Sequence, residues 1–393
     1  MIYFDHNATT PLHPVARDAW LAAAESYIGN PSSPHRVGGR ADTALNDARR
    51  RLAAILGCDP FDIVWTSGAT EANNMALHHF ARWLPRDAEV WVSAIEHPCV
   101  LHATQHHFAG RHRFIPVTPG GAVDMDWLIA ELADRRPGLV AVMAANNVTG
   151  VLQPWREILA ICRSYGVPFF CDAVQWLGKL PAQGLGDCDF LSGCAHKCGG
   201  PRGIGFLKVP AKGRIHPLLL GGSQEEGRRA GTENVAGALS LAAILEQREK
   251  EIAAGGHIER EGWRAEFERE VLHRLPGSDI VAGGQPRLWN TVSLLAPEAE
   301  CPQRWLVKLD KFGFAVSSGS ACSSGKEEPS HVLTAMGLAP EDASRALRLS
   351  SGWETPREQW HGLADALDKA NAEMQQPAAP PQALAGHAAS LRL

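Results

Sequence analysis

The chain has 393 residues, more than one ordinary hydrophobic core, and its 45% hydrophobic and 21% charged residues predict a globular protein of two or three packed units. A net charge of -5, with no lysine-arginine block and no basic-aromatic interleaving, excludes nucleic acid as an expected partner. No signal peptide and no apolar run of about eighteen residues is found, and the nine scattered cysteines read as reduced thiols, so a soluble cytoplasmic protein away from membranes is expected.

Residues 1–14, with the turn-like Asn7-Ala8-Thr9-Thr10-Pro11, read as an arm. Helical spacing starts at 41–56 and a buried strand follows at 62–66. Strand and helix then alternate: helix 70–83, strand 89–94, helix 98–108, strand 113–117, helix 126–135, strand 139–144, helix 155–165 and strand 167–171. Such repeats predict an α/β fold with a mostly parallel sheet between helices and ligands at the strand carboxyl ends. A further helical pattern runs from about 232 into the 270s and breaks at Gly255-Gly256. The break divides a large domain, 15–255, from a smaller α+β domain made of 1–14 and 256–374. The smaller domain has expected strands 278–281, 291–295 and 346–350 and helices 302–311 and 355–374. The proline- and alanine-rich segment 375–393 reads as a flexible tail.

One stretch, 192–205, centres on Lys197 in a turn crowded with glycine, between an apolar run ending near Leu191 and a second over 204–209. Crowding and a cationic neighbour, His196, would both disfavour the ammonium, which is what a Schiff-base lysine holding pyridoxal 5'-phosphate requires. The same lysine reads equally as a solvated loop charge. Cys188, Cys194, His196 and Cys198 offer a zinc alternative, although their spacing contains no CxxC pair.

Other residues fit the cofactor reading. Asp172 closes a strand and would pair with the ring nitrogen, with Gln175 reaching the ring hydroxyl from the same turn; its alternative is a helix cap. Ser67-Gly68-Ala69-Thr70-Glu71 joins a strand to a helix, where free amides suit a phosphate, or forms an ordinary glycine turn. His97 follows a strand and would stack on an aromatic ring, or is structural. Cys322 lies in the polar stretch 317–326, where an accessible thiol reads as a nucleophile. Arg348 alternates with leucines on its strand and would clamp a carboxylate with two parallel bonds, or is a surface arginine.

In order and spacing, the stretches 67–74, 172–175, 195–197, 227–234 and 317–324, with Glu96-His97 and Asn146-Asn147, resemble the cysteine desulfurases of the NifS/IscS type. These are pyridoxal-phosphate-dependent class V aminotransferases, and the resemblance runs from Tyr3 to about Gly352. It implies fold type I, with a seven-stranded-type sheet and a small domain carrying the catalytic cysteine loop. It implies that Lys197 carries the cofactor, that His97 stacks on it, and that Asp172, Gln175 and Asn147 hold the ring. Ala69, Thr70, Cys194, Ala195 and His196 would bind around the phosphate, with Thr232 reaching it from the neighbouring subunit of a homodimer. Arg348, with Asn147, would bind L-cysteine, and Cys322 would accept its sulfur for delivery to an acceptor such as an iron-sulfur scaffold protein. Five positions depart from the family pattern: Cys194, Val148, Ser223, Glu226 and Trp353 stand where serine, glutamate, glycine, arginine and arginine are usual. A class V aminotransferase, a selenocysteine lyase or a weakly cofactor-binding non-catalytic paralogue remain alternatives.

Overall fold

The structure is a computed structural model that describes residues 1–210, 214–299, 301–319 and 330–375. The expected α/β architecture is present as a seven-stranded sheet. Its strands run in the order Ile63–Thr66, Gly205–Lys208, Phe190–Cys194, Phe169–Asp172, Leu139–Ala141, Val90–Ser93 and His112–Ile115. All pairs are parallel except the two made by Gly205–Lys208, which runs against both neighbours.

The strand sequences explain why both faces are covered. Alternate residues of apolar strands enter opposite cores. Trp65, Trp91, Val140, Cys171, Leu191 and Phe206 face one core, shared with helices Pro14–Ser26, Arg36–Leu56, Met125–Asp134, Trp155–Tyr165 and Val235–Ala253. Val64, Val90, Leu139, Phe170, Phe190 and Leu207 face the other, under helices Ala69–Trp83 and Pro98–His107.

A second sheet has the antiparallel order Ser317–Ser318, Ala346–Ser350, Thr291–Leu295 and Asp279–Ile280. Its core of Val292, Leu294, Leu347 and Leu349 is closed by Phe267, Trp305 and Trp360 from helices Gly256–Arg274, Gln303–Lys311 and Arg357–Gln375. The arm joins the two cores. Ile2–Tyr3 pairs in parallel with Phe314–Ala315, Phe4 enters the second core, and helix Pro14–Ser26 packs on Val235–Ala253 in the first.

Helix Pro14–Ser26 is absent from the sequence-based reading for a physical reason. Its buried residues are only Ala16 and Ala23, while Val15, Trp20 and Leu21 are exposed, so no apolar stripe marks its inner face. The helix expected at 41–56 starts at Arg36, because His35 accepts the Gly38 amide and caps it. The Gly38-Gly39 pair hides this start. Gly38 is required there, since a Cβ would lie 2.3 Å from the Ser33 carbonyl oxygen. The expected strand at 139–144 stops at Ala141, and the helix expected from 232 begins at Val235, capped by Asn234. The tail expected from 375 falls, beyond the helix-ending Gln375, outside the described residues.

The turn Gln224–Gly227 carries two non-glycine residues at positive φ, Glu225 at 49° and Glu226 at 56°. It is held by Glu225, which is buried against Arg49 through two bonds of 2.9 and 2.8 Å. Removing one member of a buried pair strands the other charge in the interior, at a cost of about 3–5 kcal/mol. Arg49→Ala is therefore expected to lower stability by about that amount in urea denaturation. The double variant Arg49→Met with Glu225→Gln should lose clearly less, because it buries no lone charge.

Candidate active site

A cavity of about 490 Å³ opens at the carboxyl ends of the large sheet. Of the residues singled out in the sequence, Ala69, Thr70, His97, Asn147, Asp172, Gln175, Cys194, His196, Lys197 and Arg348 all line it. Ala195 does not; it is fully buried behind the turn, where its methyl group leaves no room for a side chain at Gly200. Thr232 is exposed and lies outside the cavity. Cys322 falls outside the described residues.

Lys197 sits in the turn between Phe190–Cys194 and Gly205–Lys208, which Gly199 and Gly203 shape with φ of 104° and 82°. Its Nζ donates to the carbonyl oxygens of Asn7 (2.6 Å) and Ala8 (2.7 Å), so the arm supplies its resting place. The expected cationic neighbour, His196, is corrected by the structure. Burial, then Lys197 and Arg202, lower its pKa to about 4, so the ring is neutral. The basic group that does lie near Lys197 is Lys179, whose side chain is buried and donates to Asn7 Oδ1 (2.9 Å) and Gln175 Oε1. Burial, then Lys197 and Arg348, lower its pKa well below the usual lysine value. Lys179 was missed in the sequence; its signal is a single lysine inside the apolar stretch after Gln175.

Asp172 ends its strand with both oxygens engaged. Oδ1 accepts the Val174 amide (3.0 Å) in a turn, with no helix there for it to cap, and Oδ2 accepts Asn73 Nδ2 (2.8 Å). Nearby Glu96 is fully enclosed, and burial followed by Asp172 raises its pKa well above the usual carboxylate range. Burial thus disfavours the charged form of Glu96. At the opposite end, helix Ala69–Trp83 begins at Gly68 with no side chain capping its amides. Gly205 allows that turn to come close, because a Cβ there would meet Gly68 Cα at 2.7 Å. Glu71 accepts the Ser67 amide (2.8 Å) and pairs with Arg229 through bonds of 2.8 and 3.1 Å, which offsets its charge beside the turn.

Arg348 is buried on the middle of its strand and reaches the cavity from the small sheet, with the neighbouring leucines in the core as its alternation predicts. One Nη donates to Asp5 (2.8 Å) and the other to the Asn147 carbonyl (3.3 Å), while Nε has no partner among the described residues. Ser317–Ser318 pairs with Arg348 and Leu347, and the Gly319 amide donates to the Ala346 carbonyl at 2.7 Å. The described strand thus runs from Arg348 toward Ala346 before it ends at Gly319. As for zinc, among the described residues no three His, Cys, Asp or Glu side chains are grouped to hold a metal ion.

Residues 2–360 match the family Aminotransferase class-V. A cysteine desulfurase of Klebsiella pneumoniae is 40% identical over 353 residues, covering 89% of this chain and 87% of that protein. The chain belongs to the class-V aminotransferases, and within them to the cysteine desulfurases. The solved NifS-like protein from Rickettsia africae ESF-5 superposes with a TM-score of 0.85 at 31% identity, over 95% of this chain and 99% of that one. SspA, solved in complex with cysteine, gives 0.77 at 28% identity over 89% and 98%.

Against that family, the departures have local explanations. Trp353 is buried; its Nε1 donates to the Gly178 carbonyl (2.7 Å) and its ring packs on Trp289 beside Arg248 and Arg260. Val148 is buried in an apolar cluster with Ile95, where a carboxylate would lack a partner. Glu226 pairs with Arg228 at 2.6 Å. Nothing in the structure explains Ser223.

His6 in the arm and His196 packed against it both have pKa values lowered to about 4, chiefly by burial. In the unfolded chain they titrate near 6.5. Below about pH 6.5 the unfolded state therefore takes up protons that the folded state refuses, and stability falls until the folded values near 4 are passed. The urea midpoint should drop between about pH 7 and 4.5. His6→Asn should reduce that drop; an unchanged slope would contradict the assignment.

Proposed function

We propose that the chain removes sulfur from L-cysteine, using pyridoxal 5'-phosphate held on Lys197 and Cys322 as the sulfur acceptor. The observation that carries this reading is the convergence of Lys197, Asp172, Gln175 and Arg348 on one cavity, although they come from both sheets. The cavity fits such a cofactor chemically. A carboxylate, an uncapped helix N-terminus and a lysine between them match a ring N–H, a phosphate and a carbonyl carbon. The Arg348 guanidinium, which lines the cavity, matches an incoming carboxylate.

When bound, pyridoxal phosphate supplies an electron sink for charge that develops at the substrate Cα. Asp172 would keep the proton on the ring nitrogen. Gln175, whose Oε1 is taken by Lys179, can offer only N–H to a ring oxygen. Ala69, Thr70, Cys194 and His196 would surround the phosphate, with Ala195 supporting the turn from behind. Asn147 would lie beside the ring and the substrate. Lys197, released from the cofactor by substrate, would take the Cα proton. Its carbonyl partners on Asn7 and Ala8 hold it within the cavity.

Arg348 would bind the substrate carboxylate in exchange for Asp5. The Cys322 thiolate would then form an S–S bond to the substrate sulfur as the Cβ–S bond breaks, so that alanine leaves and a persulfide remains. The strand edge at Gly319 lies three residues before Cys322, a span of at most about 10 Å, which suits delivery next to Arg348. Thr232, exposed and away from its own cavity, suits a contribution across a homodimer. The persulfide would pass to an acceptor such as an iron-sulfur scaffold protein. Among the described residues no helix is long and apolar enough to cross a membrane, which suits a cytoplasmic enzyme.

Two substitutions test the assignment. Lys197→Ala should leave no borohydride-reducible bond to pyridoxal phosphate, and persistence of that bond would remove Lys197 from its role. Cys322→Ser should still exchange the substrate α-proton while sulfur transfer stops; alanine released at the wild-type rate without added thiol would make another cysteine the acceptor.

Cys194 gives a separate prediction. Burial pushes its thiol up to about 12, so it faces the cavity as a neutral, weak donor. A hydroxyl bond to a charged group contributes roughly 1.5–3 kcal/mol, of which a thiol forfeits a good part. Cys194→Ser should tighten pyridoxal phosphate binding several-fold in equilibrium titration. Unchanged affinity would mean that the thiol does not face the phosphate.

A further inference from the structure

Behind the cavity wall formed by His97 runs a chain of hydrogen bonds that the proposed reaction does not use. Asp172 Oδ2 accepts Asn73 Nδ2 at 2.8 Å, and the same nitrogen lies 3.2 Å from Cys99 Sγ. Cys99 Sγ lies 3.0 Å from His97 Nδ1, which also accepts the Cys99 amide at 3.2 Å as the cap of helix Pro98–His107. Asn73 and Cys99 both line the cavity.

Chemistry fixes the direction of each bond. An ionised carboxylate only accepts, and an amide NH2 only donates. The backbone N–H of Cys99 only donates, so His97 Nδ1 must carry a lone pair. A sulfur placed between the Asn73 NH2 and that lone pair accepts from the first and donates its S–H to the second. The Thr70 hydroxyl also addresses this sulfur. Burial, then Asp172, push the Cys99 pKa up to about 12, so the thiol keeps its proton. His97 is lowered chiefly by burial; Asp172 acts against that, and Lys197, His331 and His102 act with it.

We propose that Cys99 is a positioning residue for His97: its S–H, together with the backbone amide, occupies Nδ1 and locks the imidazole as the neutral Nε2–H tautomer. Such a ring can stack and donate from Nε2 but has no free nitrogen with which to take a proton from substrate. The Cα proton is thereby left to Lys197. The inference rests on the reading that His97 lies against the cofactor.

Nitrogen-15 NMR of the histidines in the pyridoxal-phosphate-loaded protein tests it, with the His97 signal identified by its loss in His97→Gln. The signal is followed against pH in the wild type, Cys99→Ala and Cys99→Ser, alongside the acid limb of kcat/KM. The wild type should show unprotonated Nδ1 and protonated Nε2 down to below about pH 6.5. Cys99→Ala should raise the His97 midpoint by roughly one unit and carry the acid limb with it, whereas the serine hydroxyl should restore both. Cys99→Val, similar in size and apolar, should behave as alanine and replaces it if that variant fails to fold. An Nδ1–H signature in the wild type, or a midpoint unmoved in the apolar variants, would overturn the proposal. The stacking reading fails separately, if adding pyridoxal phosphate to the cofactor-free protein leaves the His97 signal where it was.

Discussion

The two cores and the cavity between them depend on one side chain, Asn7. Its carbonyl oxygen accepts Lys197 Nζ (2.6 Å) and Gln175 Nε2 (3.0 Å) from the large domain. Its Oδ1 accepts Lys179 Nζ (2.9 Å) and Asn290 Nδ2 (3.2 Å), and its Nδ2 donates to Thr291 Oγ1 (2.9 Å) and the Asn147 carbonyl (3.2 Å). Its amide donates to Ser350 Oγ (3.0 Å). Every donor and acceptor of a buried residue is used, and the partners belong to both sheets. Aspartate could not replace it, because two acceptors, Thr291 Oγ1 and the Asn147 carbonyl, would then face a group with no N–H. An apolar residue would leave Lys179 buried with one partner fewer. The arm is short in sequence, yet laying it across the sheets is what creates the resting place for Lys197.

Charge in the cavity follows from the same arrangement. Lys197, Lys179 and Arg348 gather where Asp172 and Asp5 are the facing carboxylates, and burial followed by Asp172 disfavours the charged form of the nearby Glu96. Lys197 makes the Lys179 ammonium harder to form. The cation expected beside Lys197 was assigned to His196, and the structure does not make it one. His196 is the neighbour in the chain, but a half-buried imidazole answers burial by staying neutral. An amine answers it by collecting hydrogen bonds, as Lys179 does from Asn7 and Gln175.

Much of this was legible in the sequence, and the limits of that legibility are physical. Strands such as Ile63–Thr66 and Phe169–Asp172 bury both faces and so read as apolar runs, which gave the alternation and the sheet. Asp172, His97 and Lys197 stand at the ends of such runs, where a ligand on a parallel sheet must sit. Helix Pro14–Ser26 packs through alanines and leaves no stripe to read. Asn7, Asn73, Cys99 and Lys179 escaped for a different reason. Their importance lies in partners 140 to 343 residues away for Asn7 and 99 for Asn73, and no local spacing encodes such distances. A resemblance to a family names the residues that meet the cofactor; it is silent on those that orient them.

The pair between Asp5 and Arg348 links the arm to the small sheet in a way that bears on the order of events. The guanidinium spends one Nη on Asp5 and the other on the Asn147 carbonyl, and its Nε is buried with no partner among the described residues, so a carboxylate entering the cavity would have to displace a neighbour to gain a donor. Exchange of one carboxylate for another changes little in net charge, so the cost of emptying the site is small and the gain is geometric. Asp5 bridges to Ser350, and Ser317 pairs directly with Arg348 on the same edge of that strand, whose other edge is taken by Thr291–Leu295. One edge of the Arg348 strand thus carries both the arm and Ser317–Ser318, so the Asp5–Arg348 pair ties together two segments that share that edge.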